Sequence, residues 1–201
     1  MTTSNVSKYL TPGPGAWADP DMLQIGNIGH LIVVNAPPSL FPDAEGRTQM
    51  ALWCILKAPL FIGTFIHNVT GPTLATLTST LAIAVNQDAL SEMGELRKDG
   101  GYMPDQPRPT TNAAFGFQVW SSALVNGGVA AVLANLEGSK TQSLSLTQDE
   151  LPPSRRSSSN SLWDVEEAFS GTTKKGVSLP LEWSVGPHDA AMLVLKPASG
   201  L

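Results

Sequence analysis

The hydrophobic pattern changes character near residue 105, and that change restricts the chain to a two-part fold. Before it, pieces of strand and helix length alternate. Met22 to Ile25 is a short apolar run, and Ala44 to Lys57 carries Met50, Leu52, Trp53 and Leu56 at roughly helical spacing. Pro59 ends that helix. Leu60-Phe61-Ile62-Gly63 is the next strand-length run, and Pro72 to Val85 reads as a second helix with proline in its first turn. Strand, helix, strand, helix is the order of parallel βα units, in which each crossover helix covers a sheet buried on both faces.

After residue 105 the runs shorten. Gly100 to Ala113 is rich in Gly, Pro and Asn and reads as a linker. Phe115 to Ser121, Gly128 to Asn135, Gln142 to Thr147, Leu162 to Val165, Gly176 to Glu182 and Ala190 to Lys196 have strand lengths. Turn signals such as Asn126-Gly127-Gly128 and Gly186-Pro187-His188 separate them, which predicts an antiparallel β-sandwich. Pro152 to Ser161 reads as a polar loop. The expected organisation is α/β plus all-β, with residues 1–105 forming βα units and residues 106–201 a sandwich.

With 201 residues, 42% of them hydrophobic and 14% charged, the chain has enough apolar content for a substantial core. A formal charge of -5, with no basic cluster beyond doublets such as Arg97-Lys98, argues against nucleic acid and anionic membrane as partners. Neutral or cationic ligands fit better. Cys54, the single cysteine, sits within Ala51-Leu52-Trp53-Cys54-Ile55-Leu56 and is expected to be a buried, inert thiol. Met-Thr-Thr-Ser-Asn-Val-Ser-Lys at the start lacks the features of a signal peptide, and no apolar run has bilayer-spanning length. Localisation is left open.

The segment richest in chemistry is Gly13 to Gly26, Gly-Pro-Gly-Ala-Trp-Ala-Asp-Pro-Asp-Met-Leu-Gln-Ile-Gly. On an extended backbone Asp19 and Asp21, two residues apart, share one face at roughly 6 to 7 Å between Cα atoms. Paired carboxylates at such a spacing invite a glycosidase reading. The same residues also suit a Gly/Pro-punctuated turn in which aspartate accepts backbone hydrogen bonds.

Three blocks in order carry a resemblance. Gly13 to Leu23 with Gly26-Asn27, then Arg47-Thr48-Gln49-Met50-Ala51-Leu52-Trp53 with Lys57-Ala58-Pro59-Leu60, then Ala82-Ile83-Ala84-Val85-Asn86-Gln87-Asp88, resemble the melibiase-type α-galactosidases of glycoside hydrolase family 27. The resemblance implies a (β/α)₈ TIM barrel followed by a C-terminal β-sandwich, with the active site at the carboxyl ends of the barrel strands. It places Met22 to Ile25 at the seventh barrel strand, so the sequence matches the last two βα units and the sandwich. The family's nucleophilic aspartate, in a Lys-Tyr-Asp-like motif, and its acid/base aspartate, after an arginine on the sixth strand, have no counterpart here. No catalytic residue is therefore assigned, and the chain taken alone is expected to be an inactive fragment.

By the same resemblance Asp21 and Met22 bind substrate, Asp21 holding the galactosyl ring and Met22 lining the pocket. An ionised carboxylate suits that task because its bonds to sugar hydroxyls are charge-assisted. Asp19 is expected to order the turn, and Asn86-Gln87-Asp88 to cap the last barrel helix. The family's usual Gly-Gly-Trp-Asn is here Gly15-Ala16-Trp17-Ala18, and His30 to Asp43 looks longer than the family's link into the helix. No cofactor or metal is implied, because His30, His67 and His188 lack ligand spacing. Trp120, Trp163 and Trp183 are assigned to the sandwich core, although a sugar-stacking face would use the same residue type. Asn5-Val6-Ser7 and Asn68-Val69-Thr70 match the glycosylation pattern, a short motif that chance explains.

Two functions follow from these readings. One is an α-galactosidase-like hydrolase acting on an α-galactoside. The other is a non-catalytic sandwich module that binds carbohydrate or protein. Two parallel strands leave open edges, so association through unpaired barrel strands is also expected.

Overall fold

The computed structural model describes residues 13, 15–27, 43–69, 71–100, 116–156 and 161–198. His30, most of the long link into the first helix, nearly all of the linker after Gly100 and the Asn5 glycosylation motif lie outside the described residues, as does Thr70 of the second motif.

The N-terminal part contains a parallel contact crossed over by a helix. Leu23 pairs with Ile62 in a parallel bridge, with Leu23 N donating to Phe61 O at 2.8 Å and Gly63 N to Leu23 O at 2.9 Å. Between them runs α1, Asp43–Ile55, with Asp43 and Glu45 in the first turn, where carboxylates favour the positive end of the helix dipole. It stops in a glycine-type cap made by a lysine. Lys57 takes φ 57°, and the amides of Lys57 and Ala58 bond back to Cys54 O and Trp53 O. The expected second helix is two helices, α2 (Gly71–Leu77) and α3 (Thr80–Asn86). Ser79 causes the break, because its hydroxyl caps α3 by accepting from Ala82 N and also donates to Ala168 O at 2.7 Å.

The C-terminal part is an antiparallel sandwich. Its strands are β1 (Glu95–Asp99), β2 (Phe117–Ala123), β3 (Val129–Asn135), β4 (Gln142–Leu146), β5 (Trp163–Glu167), β6 (Thr173–Val177), β7 (Leu181–Val185) and β8 (Ala190–Pro197). Six form one sheet in the order β1-β2-β3-β8-β5-β6, and β4 and β7 form a second. The run expected from Gly176 to Glu182 is divided between β6 and β7. Gly176 sits at φ 57°, and Pro180 has no N–H to donate to a ladder. β1 is not signalled by the sequence and precedes residue 105, yet it pairs antiparallel with β2, carrying a bulge between Leu96 and Lys98.

The six-stranded sheet is covered on both faces. Val119, Val129, Ala131, Leu133, Leu193 and Leu195 face the small sheet and pack with Leu144, Leu146 and Leu181. Trp120, Ala130, Val132, Met192 and Val194 face the other way and pack with Met50, Ala51, Cys54 and Ile55 of α1 and with Leu23 and Ile25. The molecule is therefore layered as helix, large sheet, small sheet, and every residue of β3 is buried. Asn135 ties the two sheets together, its side-chain amide donating to the carbonyls of Lys140, Val185 and Gly186 at 2.8 to 3.0 Å.

Candidate functional site

The Gly13 to Gly26 segment folds as a chain of turns fixed by its own polar groups. Gly13 and Ala16 exchange backbone hydrogen bonds of 2.9 and 2.8 Å around Gly15, at φ 89°. Asp19 Oδ1 accepts Asp21 N at 3.0 Å, spanning Pro20 as an aspartate turn, so Asp19 orders the turn as expected. Asp21 then takes φ 81°. The extended backbone that would put the two carboxylates on one face is absent, and Asp19 is engaged in the turn. A left-handed non-glycine residue costs roughly 1 to 2 kcal/mol, although aspartate tolerates it better than most.

The strain is held in place by α1. Trp53 Nε1 donates to Asp21 O at 2.7 Å, and Gln49 makes two contacts, Nε2 to Met22 O at 3.3 Å and Oε1 from Gln24 N at 2.8 Å. Gln49 thus stands in for a neighbouring strand along Met22–Gln24, while Leu23 pairs with the Ile62 segment on the other side. Gly63 permits that approach, since a Cβ there would lie 3.0 Å from Met22 Cβ and 3.2 Å from Leu23 O. Asp21 Oδ1 accepts Met22 N at 2.7 Å, and its second carboxylate oxygen has no partner among the described residues. Met22 is 49% exposed, so both side chains project from a rigid rim.

Gln49 and Trp53 were read only as part of a helical block. Their spacing of four places both on one face of α1, which is the signal that could have marked them as a clamp. The remaining candidates are structural. Burial pushes the Cys54 thiol up to about 12, which leaves it protonated and unreactive at neutral pH. Lys57 is buried and donates to Val85 O, and burial lowers its ammonium below the ordinary lysine value despite nearby Asp88 and Glu92. Asn86 Nδ2 donates to Ala58 O at 2.9 Å, and Gln87 caps α3. His67 and His188 are exposed, and no cluster of potential metal ligands occurs among the described residues. Trp120 and Trp163 are core residues as expected, whereas Trp183 is half-buried beneath Lys174 Nζ, 4.3 Å from its ring centroid.

α1 also meets the sandwich through charge. Arg47 Nε and Nη2 grip Asp189 Oδ1 and Oδ2 at 2.9 and 2.6 Å, and the Asp189 carboxylate raises the guanidinium above its usual value. Thr48 adds a bond of 2.8 Å to His188 O.

Comparison with known proteins agrees with this layout. Residues 2–88 match the α-galactosidase A family model, and residues 114–195 match the α-galactosidase C-terminal β-sandwich domain. The chain belongs to the α-galactosidase family, glycoside hydrolase family 27. An α-galactosidase of Oryza sativa subsp. japonica is 32% identical over 187 residues, covering 92% of this chain and 37% of the rice protein. The chain thus spans little more than a third of that relative. Among solved family structures, α-galactosidase I of Mortierella vinacea superposes with a TM-score of 0.70 at 22% identity, covering 90% of this chain and 40% of that one. A β-L-arabinopyranosidase of the family from Geobacillus stearothermophilus gives a TM-score of 0.70 at 24% identity, covering 94% and 40%. In family terms the Leu23–Ile62 pair with α1 is part of the barrel, and β2 to β8 are the C-terminal sandwich.

Proposed function

We propose that this chain serves α-galactoside hydrolysis by forming one rim of the sugar pocket, with Asp21 and Met22 as its substrate-binding residues. The observation that carries the reading is the left-handed Asp21, pinned by Trp53 through its carbonyl and with one carboxylate oxygen that has no partner among the described residues. Backbone strain that surrounding groups hold in place is a mark of a working site. An ionised oxygen on a fixed backbone accepts hydroxyl donors without first being ordered, and the exposed Met22 thioether supplies an apolar contact beside it.

In a retaining glycosidase one carboxylate attacks the anomeric carbon while another, about 5 to 5.5 Å away, protonates the leaving oxygen and then activates water. Asp19 is bonded to the turn and is not set opposite Asp21 on one extended face, so neither role is given to this segment. On this reading residues 1–105 belong to the barrel and residues 106–201 to the sandwich, with β1 crossing into the sandwich sheet. Open strand edges beside Leu23 and Ile62 favour association. Which sugar is preferred does not follow from the fold, which hosts the Mortierella galactosidase and the Geobacillus arabinopyranosidase alike.

The purified chain should release no nitrophenol from p-nitrophenyl α-D-galactopyranoside, and clear turnover would refute the missing dyad. In a chimera that adds the other barrel strands of the rice relative, Asp21→Asn should abolish or strongly reduce turnover. Activity that survives Asp21→Asn but is lost in Asp19→Asn would overturn the assignment of Asp21 to the sugar.

A further inference from the structure

The sandwich carries a cleft of about 340 Å³ where α1, the β5–β6 turn, β7 and the start of β8 meet. Its size lies at the lower end of the range for small-molecule sites, about 300 to 1,000 Å³, and suits one ring. We propose that this cleft binds a neutral pyranose ring, through the Trp183 surface and the Arg47–Asp189 pair. The inference does not depend on the role of Asp21.

The charge balance selects a neutral ligand. Arg47 and Asp189 neutralise each other across two hydrogen bonds. Glu167 also lines the cleft, yet its carboxylate is already used by the backbone amides of Phe169, Ser170 and Met192. It is thus held as a structural acceptor and offers a cation little. Lys174 lies over Trp183 and donates to Glu182 O.

The polar groups that remain suit a diol. With Nε and Nη2 on Asp189, the Arg47 Nη1 hydrogens have no partner among the described residues. In this side-on pairing Nη1 points away from the carboxylate, so its hydrogens are open donors to one ring hydroxyl, while Asp189 Oδ2, which accepts only Arg47 Nη2 among the described residues, is a separate acceptor for another. Ser170 and Ser184 also line the cleft, with the Ser170 hydroxyl bonded to Thr172. Trp183 supplies the apolar surface against which the C–H face of a sugar ring packs. The wall is prearranged, because Asn135 fixes the carbonyls of Val185 and Gly186 and the Arg47 fork fixes Asp189.

The test is an NMR titration of the full chain, following the tryptophan indole N–H signals, with Trp183 assigned by Trp183→Phe. The probes are the methyl pyranosides of glucose, galactose, mannose and xylose, taken to about 50 mM, well above a millimolar dissociation constant. The Trp183 signal should move saturably with at least one probe and stay mobile to it in Asp21→Ala. Trp183→Ala, and Ser184→Gln, which fills the cleft from an exposed position, should each weaken binding about tenfold or more with an unchanged far-ultraviolet circular dichroism spectrum. A Trp183 signal unmoved by all four probes overturns the proposal. So does movement confined to Trp17 and Trp53, or affinity unaltered by Ser184→Gln in the folded protein.

Discussion

Residues 13–94 and residues 116–198 differ in how completely they bury their apolar side chains. Among the described residues, the first region exposes Trp17, Met22, Phe61, Ile62, Phe65, Ile66, Leu74 and Leu90, whereas the second exposes only Val125 and Leu162. The sandwich strands find hydrogen-bond partners along two sheets, and the large sheet is covered on both sides. Among its described residues the βα region has one parallel bridge, and its buried side is that of α1 and Leu23 lying on the large sheet. Its stability therefore comes from the sandwich surface beneath it, and its outer apolar face is left for the rest of a barrel wall. The dependence is mutual. A sandwich stripped of α1 would expose Trp120, Val132, Met192 and Val194 to water, an apolar face of the kind that drives aggregation.

The largest expected effect tests that shared layer. Trp120 is 1% exposed between α1 and the sheet, so Trp120→Ala should cost about 3 to 5 kcal/mol in urea unfolding. Phe61, 65% exposed on the open side, should lose less than about 0.5 kcal/mol on the same truncation. Equal costs at the two positions would mean that the outer face of the βα region is packed, and the contrast between the regions would fall.

A second test asks how firmly the regions are joined. Arg47→Met removes a two-pronged bond to Asp189 at a partly buried junction and should destabilise the protein by about 1 to 2 kcal/mol. In a double-mutant cycle with Asp189→Ala, most of that loss should appear as coupling between the two residues. Additive single effects would show that packing alone holds α1 to the sandwich.

The same contrast explains what the sequence discloses. α1 was legible because one helix face is buried and its repeat is regular. Val129-Ala130-Ala131-Val132-Leu133-Ala134-Asn135 does not alternate, since both of its faces are covered, yet its turn-bounded length marked it as a strand. β1 escaped notice because Glu-Leu-Arg-Lys-Asp is the charged composition of an edge strand. At the candidate site, the motif singles out Asp21 and Met22 as the proposed site residues, but the φ of Asp21 is not visible in it. It is imposed by Trp53 and Gln49, whose spacing of four marks a shared helix face but not the segment that face meets. The Arg47–Asp189 pair joins residues 142 apart, beyond any local pattern.

The smallest expected effect belongs to the sandwich alone and is read through pH. On the β5–β6 hairpin, Asp164 accepts Gly176 N at 3.0 Å and Lys175 Nζ at 3.1 Å, and these bonds lower its carboxyl below the ordinary value of 3.8. In the unfolded chain the carboxyl takes up its proton at higher pH, so near pH 4 the unfolded state binds more protons than the native one. The contribution of Asp164 is therefore fully present above the unfolded value and is lost as pH falls through the folded one. Asp164→Asn should lower the urea midpoint slightly at pH 6, and the gap from the parent should close as the pH drops below 4. A gap that stays constant across that range would mean that the hairpin is held by the shape of the turn at Gly176 rather than by the charge on Asp164. The sandwich edge would then owe as little to electrostatics as the open face of the βα region.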